Sequence, residues 1–179
     1  MSIDYIAHVK KDSDSTWAAP HSLDDHLQMT AKKAKLFASK FQSEKWGEAA
    51  GLAHDAGKAR VHWQRFLRLK SGYFDDGAHM EGKSGKIPHA IYGAKLAEEL
   101  YGKGIGRILS YCIAGHHAGL PDWSGAEGAG RSSLEFQLAQ IMDLDSIEAS
   151  VTNGISSSKP STPPWQFASG LDLPLWIRM

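Results

Sequence analysis

Gly51-Leu52-Ala53-His54-Asp55-Ala56-Gly57-Lys58 sets an imidazole and a carboxylate side by side at the end of a run of small residues. Successive residues of a helix point about 100° apart, so His54 and Asp55 can both reach one ion at a helix end. Gly57 suits a helix C-cap, because it takes a positive φ without strain. Lys58 brings an ammonium within a few residues of the pair, where it can hold a phosphate as a point charge. Taken alone, the pair also reads as a helix end with an exposed acid and a hydrogen-bonded histidine. Its meaning therefore depends on the rest of the chain.

Upstream, Ser22 reads as a helix N-cap, with Asp25 three residues on as a capping-box-like acid. Leu23, Leu27, Thr30, Ala31, Ala34, Phe37, Ala38 and Phe41 recur at helical spacing, with His26 bordering the stripe and most of the lysines opposite it. A second helix is predicted from about Trp46 to Ala56, and a third from about Arg60 to Lys70. From Lys58 to Lys70 the chain carries Lys58, Arg60, Arg65, Arg68 and Lys70 and no acid, interleaved with Trp63 and Phe66. That mixture suits a surface tracking a nucleic-acid strand. The plainer reading of the same segment is a solvated amphipathic helix.

Downstream, residues 71–87 read as a loop, and Pro88 suits the first turn of a helix over about 88–102 that carries His89. A fifth helix, about 105–117, ends in His116-His117, with Gly119 and Pro121 as stop signals. A glycine-rich loop follows to Gly130, then a helix from about Ser133 to Ser150. Residues 152–164, rich in Ser, Thr, Pro and Gly, are predicted to be exposed and irregular. Residues 1–21 show no periodicity, and nothing reads as strand. The expected class is all-α, one domain over 1–179.

Apolar content of 42% and charged content of 22% are those of an ordinary globular chain. The net charge of zero neither draws the chain to nucleic acid nor excludes it. Bound divalent ions would add positive charge where a phosphate approaches. No apolar run nears the roughly 20 residues of a membrane-spanning helix, and no basic-then-apolar segment opens the chain. The single Cys112 cannot form an internal disulfide. These features point to a cytoplasmic location and no membrane partner.

The histidines carry the chemistry. His26, His54, His89, His116 and His117 fall on or at the ends of four predicted helices. Neutral imidazole is a common metal ligand, and a carboxylate among imidazoles can bridge two ions. Two ions roughly 3.5–4 Å apart can clamp a phosphodiester, one side activating water and the other stabilising the leaving oxygen. Such ligation suits Mn, Fe, Co or Ni better than Mg, and no Cys₄ or Cys₂His₂ pattern supports a structural zinc site. His8, His21, His62 and His79 fall outside the set and read as surface or structural residues.

The order His26, His54-Asp55 with the following Gly57-Lys58, His89, then His116-His117 resembles the HD metal-dependent phosphohydrolase superfamily. More narrowly, Tyr5-Ile6-Ala7-His8, the run Leu23 to Ala34 around His26, Gly51 to Lys58, His89-Ala90-Ile91-Tyr92-Gly93-Ala94 and Ala114-Gly115-His116-His117-Ala118-Gly119-Leu120-Pro121-Asp122-Trp123 resemble the HD nuclease domain of the CRISPR-associated type I nuclease-helicase. The resemblance covers essentially the whole chain.

It implies an HD-domain helical bundle around a His/Asp metal site, and a nuclease that hydrolyses phosphodiester bonds of single-stranded DNA through metal-activated hydroxide in CRISPR type I interference. It also implies one or two Mn, Ni, Co or Fe ions, a superfamily 2 helicase domain in cis or in trans, and an RNA-guided surveillance complex as partner. Residue by residue, His26, His54 and Asp55 match ligands of one ion. His89, His116 and His117 match ligands of the second, with Asp55 bridging. Lys58 matches the lysine that steadies the phosphate. The family's further Asp ligand, on a later helix, has no match before the sequence stops at Leu175-Trp176-Ile177-Arg178-Met179, and no helicase Gly-x-x-x-x-Gly-Lys-Ser/Thr motif is present. The resemblance thus implies a fragment or a stand-alone domain truncated before its last helix, with reduced activity and one ion held more weakly than the other; Asp122, Asp143 or Asp145 are candidate substitute ligands, disfavoured because Asp122 sits in a Pro-Asp-Trp turn and the other two on a separate predicted helix. Two other readings stand beside it: an HD phosphohydrolase acting on nucleotides, and a metal-poor docking domain.

Overall fold

The first long helix, α1 (Leu23–Ala38), starts at the cap the sequence marks: the Ser22 Oγ accepts a hydrogen bond from the Asp25 amide at 3.4 Å. The computed structural model describes residues 5–73, 87–125 and 130–161. His79, residues 126–129 and 162–164, and the run from Leu173 to Met179 lie outside the described residues.

The fold is all-α. Helix α1 is followed by α2 (Glu44–Ala53), α3 (Val61–Ser71), α4 (Ala90–Gly115), α5 (Leu134–Ala139) and α6 (Ala149–Ser156). Helices α1 and α2 form the most intimate pair, and α4 packs on α2 and α6. Leu23, Leu27, Trp46, Leu52, Ile91 and Ile113 lie in the buried core between them. Where two helices were expected over 88–117, α4 runs through both and is broken at Gly102, whose φ of 81° and ψ of 173° are not helical. Only glycine takes that conformation without strain. Close approach is made at Gly93: a Cβ there would collide with the Ala53 carbonyl oxygen, so α4 touches the end of α2 backbone to backbone. Among the described residues, no helix is long and apolar enough to cross a membrane.

Two features depart from the sequence expectation. A short antiparallel ribbon exists, β1 (Ile6–His8) against β2 (His21–Ser22), pairing Ile6 with Ser22 and His8 with His21. Strands this short show no alternation to read. The other edge of β1 is held by a side chain. Gln64, on α3 and 2% exposed, accepts from the Ile6 amide and donates back to the Ile6 carbonyl, both at 2.9 Å. Its amide stands in for a third strand.

The single helix expected over 133–150 is also divided. Helix α5 starts at Ser133, whose Oγ accepts from the Phe136 amide at 3.3 Å. The chain then turns away. The Ser146 Oγ donates to the Asp143 carbonyl, and the Glu148 amide donates to the Ala59 carbonyl at 2.9 Å. Short polar side chains compete in this way with the helix's own hydrogen bonds. Helix α6 follows, so residues 152–156 are helical, not irregular, and Ile155 is 1% exposed, with its carbonyl accepting from the Tyr101 hydroxyl. The apolar anchors Val151 and Ile155, four residues apart, are hidden in a Ser- and Gly-rich composition.

A paired substitution tests the packing. An exchange of Gly for Ala inside a helix normally stabilises by about 0.5–1 kcal/mol. Gly154→Ala in α6, where an added Cβ meets nothing within 4 Å, should raise the urea midpoint. Gly93→Ala should lower it by an overpacking penalty of about 1–3 kcal/mol. Shifts of the same sign would refute the close α2–α4 contact.

Candidate metal centre

Each candidate side chain sits at or near a helix boundary. His26 lies in the second turn of α1, His54 is the C-cap residue of α2, and Asp55 follows it. His89 is the N-cap residue of α4 and His116 its C-cap residue, with His117 next. All six converge. Asp55 is 3% exposed, and its two oxygens face different partners. Oδ2 lies 2.9 Å from His26 Nε2, 3.3 Å from His54 Nε2 and 2.9 Å from Lys58 Nζ. Oδ1 lies 3.1 Å from His89 Nε2 and 3.6 Å from His116 Nε2.

Two backbone contacts fix the chemistry of these rings. His54 Nδ1 is 2.7 Å from the Gly51 carbonyl, and His116 Nδ1 is 2.6 Å from the Ile113 carbonyl. A carbonyl only accepts, so each Nδ1 carries a proton, and when the ring is neutral its Nε2 lone pair faces Asp55. Around these lone pairs other ring nitrogens crowd: His26 Nε2 is 3.0 Å from His54 Nε2, and His89 Nε2 is 2.9 Å from His117 Nε2. Asp55 Oδ1, fully buried, accepts no hydrogen bond among the described residues. Acceptors packed against acceptors with too few donors repel one another, and a cation at their focus removes the conflict. The donor set therefore fits a metal ion. Among the described residues, Asp55, His89, His116 and His117 form one group whose ligand atoms lie within 4.8 Å of one another.

The protonation equilibria follow from the same crowding. Burial pushes the Asp55 carboxyl up, but the His116, His54 and His89 rings, in the protonated form that points an Nε2–H at it, outweigh burial and hold the group well below the usual carboxylate range. Desolvation lowers His26, and it lowers His117 with help from the neighbouring His116 and His89. Desolvation also pulls His116 down, but the facing Asp55 carboxylate and the Ile113 carbonyl prevail and leave it raised.

Lys58 is 4% exposed. Besides its pairing with Asp55, its ammonium donates to the Ala7 carbonyl at 3.3 Å and lies 5.3 Å from the centre of the Trp63 ring. It is thus directed at the carboxylate and at β1. Gly57 is not a left-handed cap. It lies inside the 3₁₀ turn Ala56–Lys58 and is absent from the positive-φ residues. Glycine is needed there because an added Cβ would strike the His89 carbonyl oxygen and come within 2.8 Å of its Cα.

The segment from Lys58 to Lys70 is less of a surface than its composition suggests. Arg60 is buried, donating to the Gly57 and Pro88 carbonyls and stacking 3.2 Å from the centre of the Tyr92 ring. Trp63, 6% exposed, packs edge-on to His89 and offers no face to a base. Arg68 reaches back to the Gln64 side chain. Arg65 and Lys70 are exposed.

Asp122, Asp143 and Asp145 join neither ligand group found among the described residues. Asp143 instead accepts from the Tyr92 hydroxyl at 2.8 Å. His62 is exposed on α3. His8, read from the sequence as a surface or structural residue, is drawn in: its ring centre lies 4.8 Å from that of His26, and His8, His26 and Asp55 form the second ligand group. Desolvation, with the nearby Lys58 ammonium adding to it, pushes the His8 imidazole down to about 4. Its only sequence signal was its place in the Tyr5-Ile6-Ala7-His8 run.

Gly57→Ala should displace His89 without removing any ligand. Ni(II) affinity measured calorimetrically should fall by about 10–100-fold, the scale of lost ligand support, while the helical circular-dichroism signal persists. Unchanged affinity would show that the Gly57–His89 contact does not position the ligand.

Compared with protein-family models and with curated proteins, the chain matches none.

Proposed function

We propose that the protein is a metal-dependent phosphodiesterase whose substrate is single-stranded DNA. The observation that carries the hydrolase reading is the bridging environment of Asp55. One buried carboxylate turns Oδ2 to His26 and His54 and Oδ1 to His89 and His116, with two ring tautomers pinned by backbone carbonyls. Two ions on the two sides of Asp55 would supply an activated water and charge for the leaving oxygen. The imidazole-rich set favours Mn, Fe, Co or Ni over Mg. Lys58, tied to Asp55 and to β1, keeps the carboxylate ionised and oriented, and adds positive charge where a phosphate's charge develops.

The choice of DNA rests on the ordered motif resemblance to CRISPR type I HD nuclease domains. With it come a cytoplasmic setting, a superfamily 2 helicase domain that feeds the strand, and an RNA-guided surveillance complex. Burial of Trp63 and Arg60 favours a second reading, hydrolysis of nucleotides, because it takes from α3 one of the two aromatic faces a strand would stack on, leaving the half-buried Phe66.

The deciding measurement is hydrolysis of single-stranded DNA, duplex DNA and nucleotides across Mn, Co, Ni, Fe and Mg, with metal content determined on the same samples. Single-stranded DNA should be cut fastest, and Mg should be the poorest activator. Preferential hydrolysis of nucleotides would establish the second reading, and absence of both metal and turnover would leave a docking domain. Asp55→Ala should lose more metal and more activity than His89→Ala, because it strips a ligand from both ions. Near-wild-type rates for Asp55→Ala would end the two-ion reading.

Arg65→Ala should weaken binding to single-stranded DNA and make it less sensitive to salt, while leaving metal uptake intact. Unchanged DNA affinity would make the exposed side of α3 a solvated face only.

A further inference from the structure

We infer that His8, on strand β1, is a ligand of the ion on the Oδ2 side of Asp55, together with His26; the inference rests on the metal-centre reading above. One ligating atom from each of His8, His26 and Asp55 lies within 4.8 Å of the others. Two donors on opposite sides of one ion stand roughly 4 Å apart, since each bond is about 2.0–2.2 Å. A small inward movement of the His8 ring brings the three to ligating distance.

The strand is held so that this movement is confined to the side chain. Ile6 is clamped through both backbone groups by Gln64, the Ala7 carbonyl accepts from Lys58, and His8 pairs with His21 across the ribbon. The Lys58 contact links β1 to Asp55 directly, because the same ammonium serves both. Among the described residues the His8 ring has aromatic neighbours, His21 and His26, and no side-chain hydrogen bond that ligation would break.

His8 also balances the two sides. Oδ1 is accompanied by three imidazoles, those of His89, His116 and His117. Oδ2 is accompanied by His26 and His54, and His8 makes three. Both ions then sit among neutral imidazoles with a single shared carboxylate. Such a pair keeps most of its positive charge for an anionic substrate and excludes the oxygen-seeking Mg and Ca from either side.

The test is calorimetric titration of the metal-stripped full chain with Ni(II), repeated with Co(II) while recording its visible absorption. The wild-type chain should bind two ions. His8→Ala should weaken one of them by about tenfold or more, change the Co(II) spectrum of that site and leave the other ion in place. His8→Asp, which restores a donor, should recover two-ion binding, and His21→Ala should bind as the wild type does. Two unweakened ions in His8→Ala would overturn the inference while leaving the metal centre itself standing. Loss of both ions in both His8 variants would show that His8 supports the fold rather than an ion, and would overturn it too. A wild-type chain that binds no ion would overturn the metal centre and the inference together.

Discussion

A carboxylate buried to 3% exposure must be compensated, since an unpaired buried charge costs several kcal/mol. Asp55 meets this requirement with the Lys58 ammonium and a surrounding shell of imidazoles, and that requirement organises the centre of the molecule. Lys58 compensates the charge from behind, on the side of β1. In front, the His54 and His116 rings are turned by backbone carbonyls so that their Nε2 atoms face the carboxylate, with lone pairs when the rings are neutral. A shell built only for stability would present donors to both carboxylate oxygens, whereas here Oδ2 has Lys58 and His26 and Oδ1 has none among the described residues. This one keeps acceptors close together, a local conflict of the kind that marks a site shaped for a ligand.

The compensation works only if four chain segments come within a few ångströms of one point. Small residues make that possible. At Gly93 the α4 backbone touches the last turn of α2, and at Gly57 the turn after Asp55 touches the start of α4. Those contacts set His89 against Asp55 Oδ1, and the far end of α4 returns His116 to the same oxygen. Gln64 completes the enclosure by holding β1 against α3 with paired side-chain hydrogen bonds.

The basic residues near the motif divide by the same geometry. Arg60, between the Gly57 and Pro88 carbonyls and over the Tyr92 ring, binds the turn to the start of α4. The Tyr92 hydroxyl in turn bonds Asp143, so Arg60, Tyr92 and Asp143 connect the His/Asp cluster to the C-terminal part of the described chain. Of the charge that reads in sequence as a surface stripe, Lys58 and Arg60 are spent inside, Arg60 on the Gly57 and Pro88 carbonyls, while Arg65 and Lys70 stay exposed.

The sequence by itself determined the helical class, the start of α1 at Ser22, and the five histidines and one aspartate that meet at Asp55. Each of these is a local property: periodicity of 3.6 residues, a capping side chain, a helix end carrying a donor side chain. Tertiary structure alone decided the rest. That β1 exists, that Gln64 serves as its neighbour, that Arg60 and Trp63 are inside, and that His8 reaches His26 all depend on contacts between residues far apart in the chain. A three-residue strand has no period to read, and a buried arginine has the same letter as an exposed one. Gly57 shows the division at one residue: its smallness was legible, but its reason was the carbonyl of His89, 32 positions away, and not a turn of its own backbone.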